Sequence, residues 1–203
     1  MQKLLGLLIV GALLSFGRLA SAGPLEDGVA AAKRGDHALA LKLWRPIAEL
    51  GDEYAQYNLG LTYEHGRGVR QDYREAMKWY RLAADQGHEL AQYNLGVMYA
   101  TGRGAPQNDK EAVMWFRLAA IGDVAGAQNN LGFMYANGRG VPQDYVRGHM
   151  WFNLAAASSS GGDAKNATDS RNSLAAKMTP AQIERAHEMA RKCQQSNFRD
   201  CGW

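Results

Sequence analysis

AQYNLGLTYEHGRG, beginning at Ala55, returns as AQYNLGVMYATGRG from Ala91 and as AQNNLGFMYANGRG from Ala127, a period of 36 residues. The intervening stretches repeat in step: QDYREAMKWYRLAA ends at Ala84, QNDKEAVMWFRLAA at Ala120 and QDYVRGHMWFNLAA at Ala156. A unit of this size cannot bury its own apolar face, so copies stack and share one interior. The period therefore predicts an all-α fold, a right-handed α-α superhelix (solenoid) of helix-turn-helix repeats of 36 residues, at 55–90, 91–126 and 127–162. Arrays of this kind usually bind partners instead of catalysing reactions.

Each unit reads as two helices. Ala55, Leu59 and Tyr63 fall at i, i+4 and i+8 and form one apolar stripe, repeated by Leu95 and Tyr99 and by Leu131 and Tyr135. Gly60, Gly96 and Gly132 sit inside that helix, where glycine costs about 1 kcal/mol relative to alanine. Repetition of a costly residue implies close approach of a neighbouring helix. Gly66-Arg67-Gly68, Gly102-Arg103-Gly104 and Gly138-Arg139-Gly140 end the first helix, because glycine supplies the left-handed backbone that stops it. Pro106 and Pro142 reinforce the break. A phosphate-cradling loop is the other reading of these glycines, but no lysine-serine pair follows and no strand precedes.

Asp72, Asn108 and Asp144 then stand as N-caps of the second helix. Glu75 and Glu111, three residues on, are expected to complete capping boxes, while Arg147 takes the glutamate's place in the third unit. Ala76, Tyr80, Ala83 and Ala84 define the buried face, repeated by Ala112, Phe116, Ala119 and Ala120, with Trp79, Trp115 and Trp151 also in register. The turn before Ala127 departs from the pattern. Ile121-Gly122-Asp123 replaces Asp85-Gln86-Gly87, and Gly126 is the expected compensation.

The ends are atypical, as the exposed edges of an array must be. Residues 23–54 are expected to form N-terminal capping helices, with VAAAKRGDHALALKLWRPIAELG from Val29 carrying the second-helix pattern. Ser158 to Gly162 reads as a linker, and 163–203 as C-terminal capping helices. Thr179-Pro180 opens the last of them, from Ala181 to about Cys193. Before all of this, Lys3, the apolar run Leu4 to Phe16 and the small residues Ala20-Ser21-Ala22 match a secretory signal at 1–22, with cleavage expected after Ala22. The run is short of the roughly 20 residues of a membrane span. An uncleaved anchor is the alternative; no cysteine follows Ala22 to take a lipid.

Loss of Lys3 and Arg18 would take the formal charge from +3 to +1. So neutral a chain exerts no general pull on nucleic acid or anionic lipid. Cys193 and Cys201 are the two cysteines, and in an oxidising compartment they read as a disulfide. A loop this short stabilises by roughly 2–3 kcal/mol and would pin the last helix end and the Trp203 tail. A metal site or a redox pair is the weaker reading, for want of neighbouring ligands or two-residue spacing. Export predicts a periplasmic or secreted protein with no stable membrane anchor after cleavage.

These residues resemble the Sel-one-like repeat family, a branch of the tetratricopeptide-like α-solenoids. The alanine, leucine-glycine, tyrosine, Gly-x-Gly, Trp or Tyr and Ala-Ala positions match in all three units, over about Asp27 to Gly162. The tail MTPAQIERAHEMARKC from Met178 looks like the closing helix of exported bacterial members. The resemblance implies an adaptor that assembles complexes. A cysteine-rich branch associated with β-lactams staples each repeat with a cysteine pair; this chain has none inside its repeats, so that activity is not carried over.

By the same analogy, stacked first helices line a concave binding face. Its positions are Tyr57, Leu61, Glu64 and His65, then Tyr93, Val97 and Thr101, then Asn129, Phe133 and Asn137. Recognition needs positions that differ between units, which singles out Leu61/Val97/Phe133 and His65/Thr101/Asn137. A groove of apolar and amide groups suits a protein or peptide partner. Asn58, Asn94 and Asn130 are read first as ties between repeats and second as grips on a peptide backbone. Arg67, Arg103 and Arg139 form another ladder, read first as structural, pairing with Asp72, Asn108 or Asp144 or with helix-end carbonyls, and second as a site for an anionic polysaccharide.

Catalytic signatures are missing. His37, His65, His88, His149 and His187 are scattered, without the spacing of a metal-binding helix, and no nucleophile elbow occurs. No cofactor or metal is expected. Asn166-Ala167-Thr168 is a glycosylation sequon, meaningful only in a host that glycosylates its exports. An envelope enzyme acting on cell wall or β-lactam is the alternative to a binding scaffold.

Overall fold

Ten α-helices follow one another through residues 23–202, the part of the chain that this computed structural model describes. The expected signal at 1–22 and Trp203 lie outside the described residues. The helices pair as hairpins: α1 (Pro24–Lys33) with α2 (His37–Glu49), α3 (Glu53–His65) with α4 (Tyr73–Asp85), α5 (Glu89–Thr101) with α6 (Asp109–Ile121), and α7 (Ala125–Asn137) with α8 (Tyr145–Ser158). Each second helix packs in turn on the first helix of the next hairpin, which makes the chain a solenoid. α9 (Gly161–Ala175) continues the stack on α8, and α10 (Pro180–Gln195) returns onto α8 and closes that end.

Inside each hairpin one aromatic ring lies on one glycine. A Cβ added at Gly60 would stand 2.4 Å from the Tyr80 ring, and Cβ atoms at Gly96 and Gly132 would stand 2.5 Å from Phe116 and Phe152. The same joint holds the N-terminal hairpin, where Gly28 meets Trp44 at 2.3 Å. Each helix thus gives up intrinsic propensity for contact between a flat ring and bare backbone. The alanines foreseen beside the rings are buried: Ala76, Ala83, Ala112, Ala119 and Ala120 have no exposed surface beyond 0%.

The Gly-x-Gly loops use their two glycines differently. The first ends the helix in the left-handed conformation, at φ 65° for Gly66, 71° for Gly102 and 67° for Gly138. The second lies on the preceding hairpin: a Cβ at Gly104 would be 2.4 Å from the Tyr73 carbonyl oxygen, and one at Gly140 2.2 Å from that of Asp109. The loop is filled by protein backbone, which leaves the phosphate reading without a cradle.

The caps form, but the two expected capping boxes do not. Asp72 accepts from the Arg74 and Glu75 N–H groups and Asn108 from those of Lys110 and Glu111. The caps' own N–H groups are already taken, Asp72's by the Tyr63 carbonyl and Asn108's by that of Tyr99, so Glu75 and Glu111 have nothing to accept. Glu75 lies 3.6 Å from Lys78 instead. A complete box occurs at Thr179 and Gln182, opening α10. The supposed linker is also shorter than expected: α8 runs to Ser158 and α9 starts at Gly161, leaving Ser159 and Ser160 between them.

At the C-terminal end Cys193 and Cys201 are joined by a disulfide and buried with Ala186 and Ala190 in the core shared by α8. Arg147 binds its own cap, Asp144, at 3.3 Å and donates to the Gly202 carbonyl at 3.0 Å, tying the tail to the third repeat. Substitution Gly96→Ala should drive a methyl group into the Phe116 ring and lower stability by about 1–3 kcal/mol. Urea unfolding checks this, with Gly162→Ala, whose Cβ would meet open space, as the reference.

Candidate functional site

The residue after each buried glycine faces the gap between neighbouring first helices. Leu61 and Val97 are half-buried there, and Phe133 is 46% exposed, its ring edge-on to Phe152 at 5.0 Å. Between α5 and α7 a cleft of about 440 Å³ collects Tyr93, Val97, Thr101, Phe133, Asn137 and Arg139. The corresponding cleft between α1 and α3, of about 290 Å³, holds Val29, Trp44, Asn58, Leu61 and Arg67. A third, of about 340 Å³, lies where Phe133 and Phe152 meet Asp169, Leu174 and Lys177 of α9. The clefts recur because the units do, and their linings differ where the units differ.

The ten expected site residues do not form one surface. Tyr93, Val97, Thr101, Phe133 and Asn137 come together in the α5–α7 cleft, and Leu61 lines the α1–α3 cleft. Thr101 and Asn137 donate to their own helix, at the Val97 and Phe133 carbonyls. Glu64 stands where the other hairpins have Ala32, Ala100 and Ala136, and accepts a 2.6 Å hydrogen bond from the Tyr80 hydroxyl. Tyr57 stacks on His88 at 4.4 Å. Burial pushes the Tyr57 hydroxyl up, opposed by a hydrogen bond with Asn94. His65 is exposed and Asn129 half-buried, and neither lines these three clefts.

Two rungs of each ladder act between hairpins. Asn94 bonds Tyr57 of the preceding unit, and Asn130 bonds Tyr93 in the same way. Arg139 makes a two-pronged ion pair with Asp109, at 2.7 and 3.0 Å, and donates to the Ala100 carbonyl at 3.3 Å. Arg103 lies 5.7 Å from the centre of the Tyr73 ring. The expected partners Asp72, Asn108 and Asp144 are engaged as caps; Arg139 does reach an expected helix-end carbonyl, at Ala100, and Arg103 and Arg139 otherwise meet the first residue of the preceding unit's second helix.

Further ties were not foreseen in the sequence. Arg45, Arg81 and Arg117 donate to the Tyr63, Tyr99 and Tyr135 hydroxyls at 2.6, 2.7 and 2.6 Å, each bond joining one hairpin to the next. Gln56 and Gln92 donate to the Ala48 and Ala84 carbonyls across the inter-unit turn. Gln128 instead donates to the Asp123 carboxylate at 2.8 Å, because Asp123 takes the left-handed conformation in the irregular turn. Ser158 donates to that same carboxylate. Gly126 serves a different purpose from the one expected: its bare Cα admits the Tyr93 ring, 3.0 Å from where a Cβ would be. The scattered histidines also partly converge, with the His149 and His187 rings 5.3 Å apart.

The family model described as the Sel1 repeat matches residues 18–52, 53–88, 90–123 and 125–160. Among solved structures, the chain is similar to c5321, a protective antigen present in uropathogenic Escherichia coli strains displaying an SLR fold, with 28% identity and a TM-score of 0.72 over 87% of this chain. It spans 42% of that protein's length. It is also similar to a Sel1 repeat protein from Oxalobacter formigenes, with 25% identity and a TM-score of 0.64 over 86% of this chain and 77% of the other. No curated protein matches.

Two buried imidazoles contribute to the acid response. His88 accepts the Ala91 N–H through Nδ1 as the cap of α5, and burial holds its pKa down. Burial, His187 and Arg171 together lower that of His149 to about 4. Unfolding returns both to ordinary values, so the unfolded chain binds more protons and stability falls as pH drops through 6.5 towards 4. Urea titrations between about pH 7 and about pH 4.5 should show this loss, and His149→Gln should make it shallower.

Proposed function

The chain belongs to the Sel1 repeat family, and on that footing we propose that it is an exported interaction scaffold holding a peptide segment of a protein partner along α3, α5 and α7. Proteins built from these repeats generally serve as scaffolds for protein interaction. The observation that carries the proposal is the pair of first-helix clefts, one lined by Leu61 and the other by Val97 and Phe133, above the repeated glycine–aromatic joint. Constant residues set the spacing and variable ones face outward, the division of labour that recognition requires. The half-open Phe133 ring is the apolar anchor, and Thr101 and Asn137 give its cleft a polar rim.

Contacts of α5 with α7 and of α7 with α9 support placing this face on the inner side of the curve, where successive elements approach most closely. The disulfide of Cys193 with Cys201 supports export, as does the apolar segment Leu4 to Phe16. The similar E. coli protein is a protective antigen, which fits a location open to antibody. The action proposed for the present chain is binding alone. An anionic polysaccharide gains no support from Arg103 and Arg139, since Tyr73 and Asp109 already engage them.

Val97→Asp with Phe133→Asp should leave the helical circular dichroism unchanged and lower partner capture at least about tenfold. Crosslinking capture by the mature protein in its native envelope, followed by peptide mapping, measures it. Capture undiminished in the double variant would remove the clefts from the binding surface.

A further inference from the structure

We propose that the C-terminal end of the array is an anion-binding site, in which His149, Arg171, His187 and Arg191 surround a pocket that takes a carboxylate or phosphate group. The pocket measures about 480 Å³ and lies between α8, α9 and α10. It shares no lining residue with the three first-helix clefts.

Two departures from the repeat converge on it. The first is at the rung that joins hairpins. Arg45, Arg81 and Arg117 on second helices donate to tyrosines on the following first helices, but at the last rung the polarity inverts: Asn153 occupies the arginine position and Arg171 the tyrosine position. A short amide and a flexible guanidinium replace a ring, and a cavity remains between the units. The second is His149, which stands where the other second helices carry Leu41, Met77 and Val113. Its side chain is 2% exposed, and its Nδ1 has no hydrogen-bond partner among the described residues.

The charges around the pocket are all of one sign. α8 contributes His149 and Asn153, α9 contributes Arg171 and Asn172, and α10 contributes His187, Arg191 and Gln194; no carboxylate lines it. The hydrogen bonds of Arg171 go to the neutral oxygens of Asn153 and Asn172, at 2.9 to 3.3 Å. Arg191 meets Glu184 at 3.5 Å outside, where both side chains are largely exposed, and Glu188 pairs with Lys192. Arg171 therefore faces the pocket with no carboxylate among the lining residues, beside the His149 and His187 rings, and Arg191 reaches it while sharing its charge with Glu184 outside. An entering oxyanion supplies a counter-ion, with charge-assisted hydrogen bonds to Arg171 and Arg191. Its negative charge also favours protonation of His149, whose pKa burial holds down.

Isothermal titration of the mature protein with inorganic phosphate and with succinate, at fixed ionic strength against chloride, tests the site. At least one of the two should bind about tenfold more tightly than chloride at about pH 6. A preference between them identifies the group as phosphate or carboxylate. The His149 imidazole resonances should shift during the same titration. Arg171→Gln and Arg191→Gln should each weaken binding about tenfold; the exposed position of Arg191 keeps that variant folded, as circular dichroism will check. No binding above chloride, or binding unchanged in Arg191→Gln with His149 resonances unmoved, would overturn the site.

Discussion

Contact between a flat ring and a bare Cα sets the geometry from which everything else follows. Tyr80, Phe116 and Phe152 lie on Gly60, Gly96 and Gly132, and Trp44 lies on Gly28. Helices drawn this close bury small alanines completely and hold each second helix at one fixed distance from its first. Clefts then open between first helices, at α1–α3 and at α5–α7. An alanine at any of these glycines disturbs one hairpin and, through it, the spacing to its neighbours.

The array itself was legible because its causes are local. Glycine at Gly66, Gly102 and Gly138, the caps at Asp72, Asn108 and Asp144, and the alanine–aromatic faces each act within one unit, so repetition exposed them. The capping boxes failed for a reason no spacing reveals: the N–H groups of Asp72 and Asn108 donate backward to the preceding helix. The partners of Arg103 and Arg139 lie in the previous unit, one place beyond the position that charge complementarity suggested. The glutamine locks at Gln56 and Gln92 were hidden among invariant residues, since identity in every copy says only that a residue matters.

The candidate site was legible by half. The rule that variable positions recognise led to Val97, Thr101, Phe133 and Asn137, which do share a cleft. It could not foresee that Glu64 would be drawn inward by the Tyr80 hydroxyl or that Tyr57 would stack on His88, because both depend on chemistry peculiar to one unit. The pairing of His149 with His187 was equally invisible. Those residues meet only because α10 turns back onto α8, a path the repeat pattern does not contain.

The joint between the second and third repeats is built differently from the two before it. α7 begins at Val124 without a side-chain cap, and Asp123 holds left-handed backbone there, a conformation that costs a non-glycine residue energy. Gln128 and Ser158 both donate to the Asp123 carboxylate, so this joint is held through an acidic side chain where the earlier joints use a backbone carbonyl. The cleft spanned by Val97 and Phe133 crosses this joint. A molecule lodged there would touch both repeats at once and bridge their joint with contacts of its own.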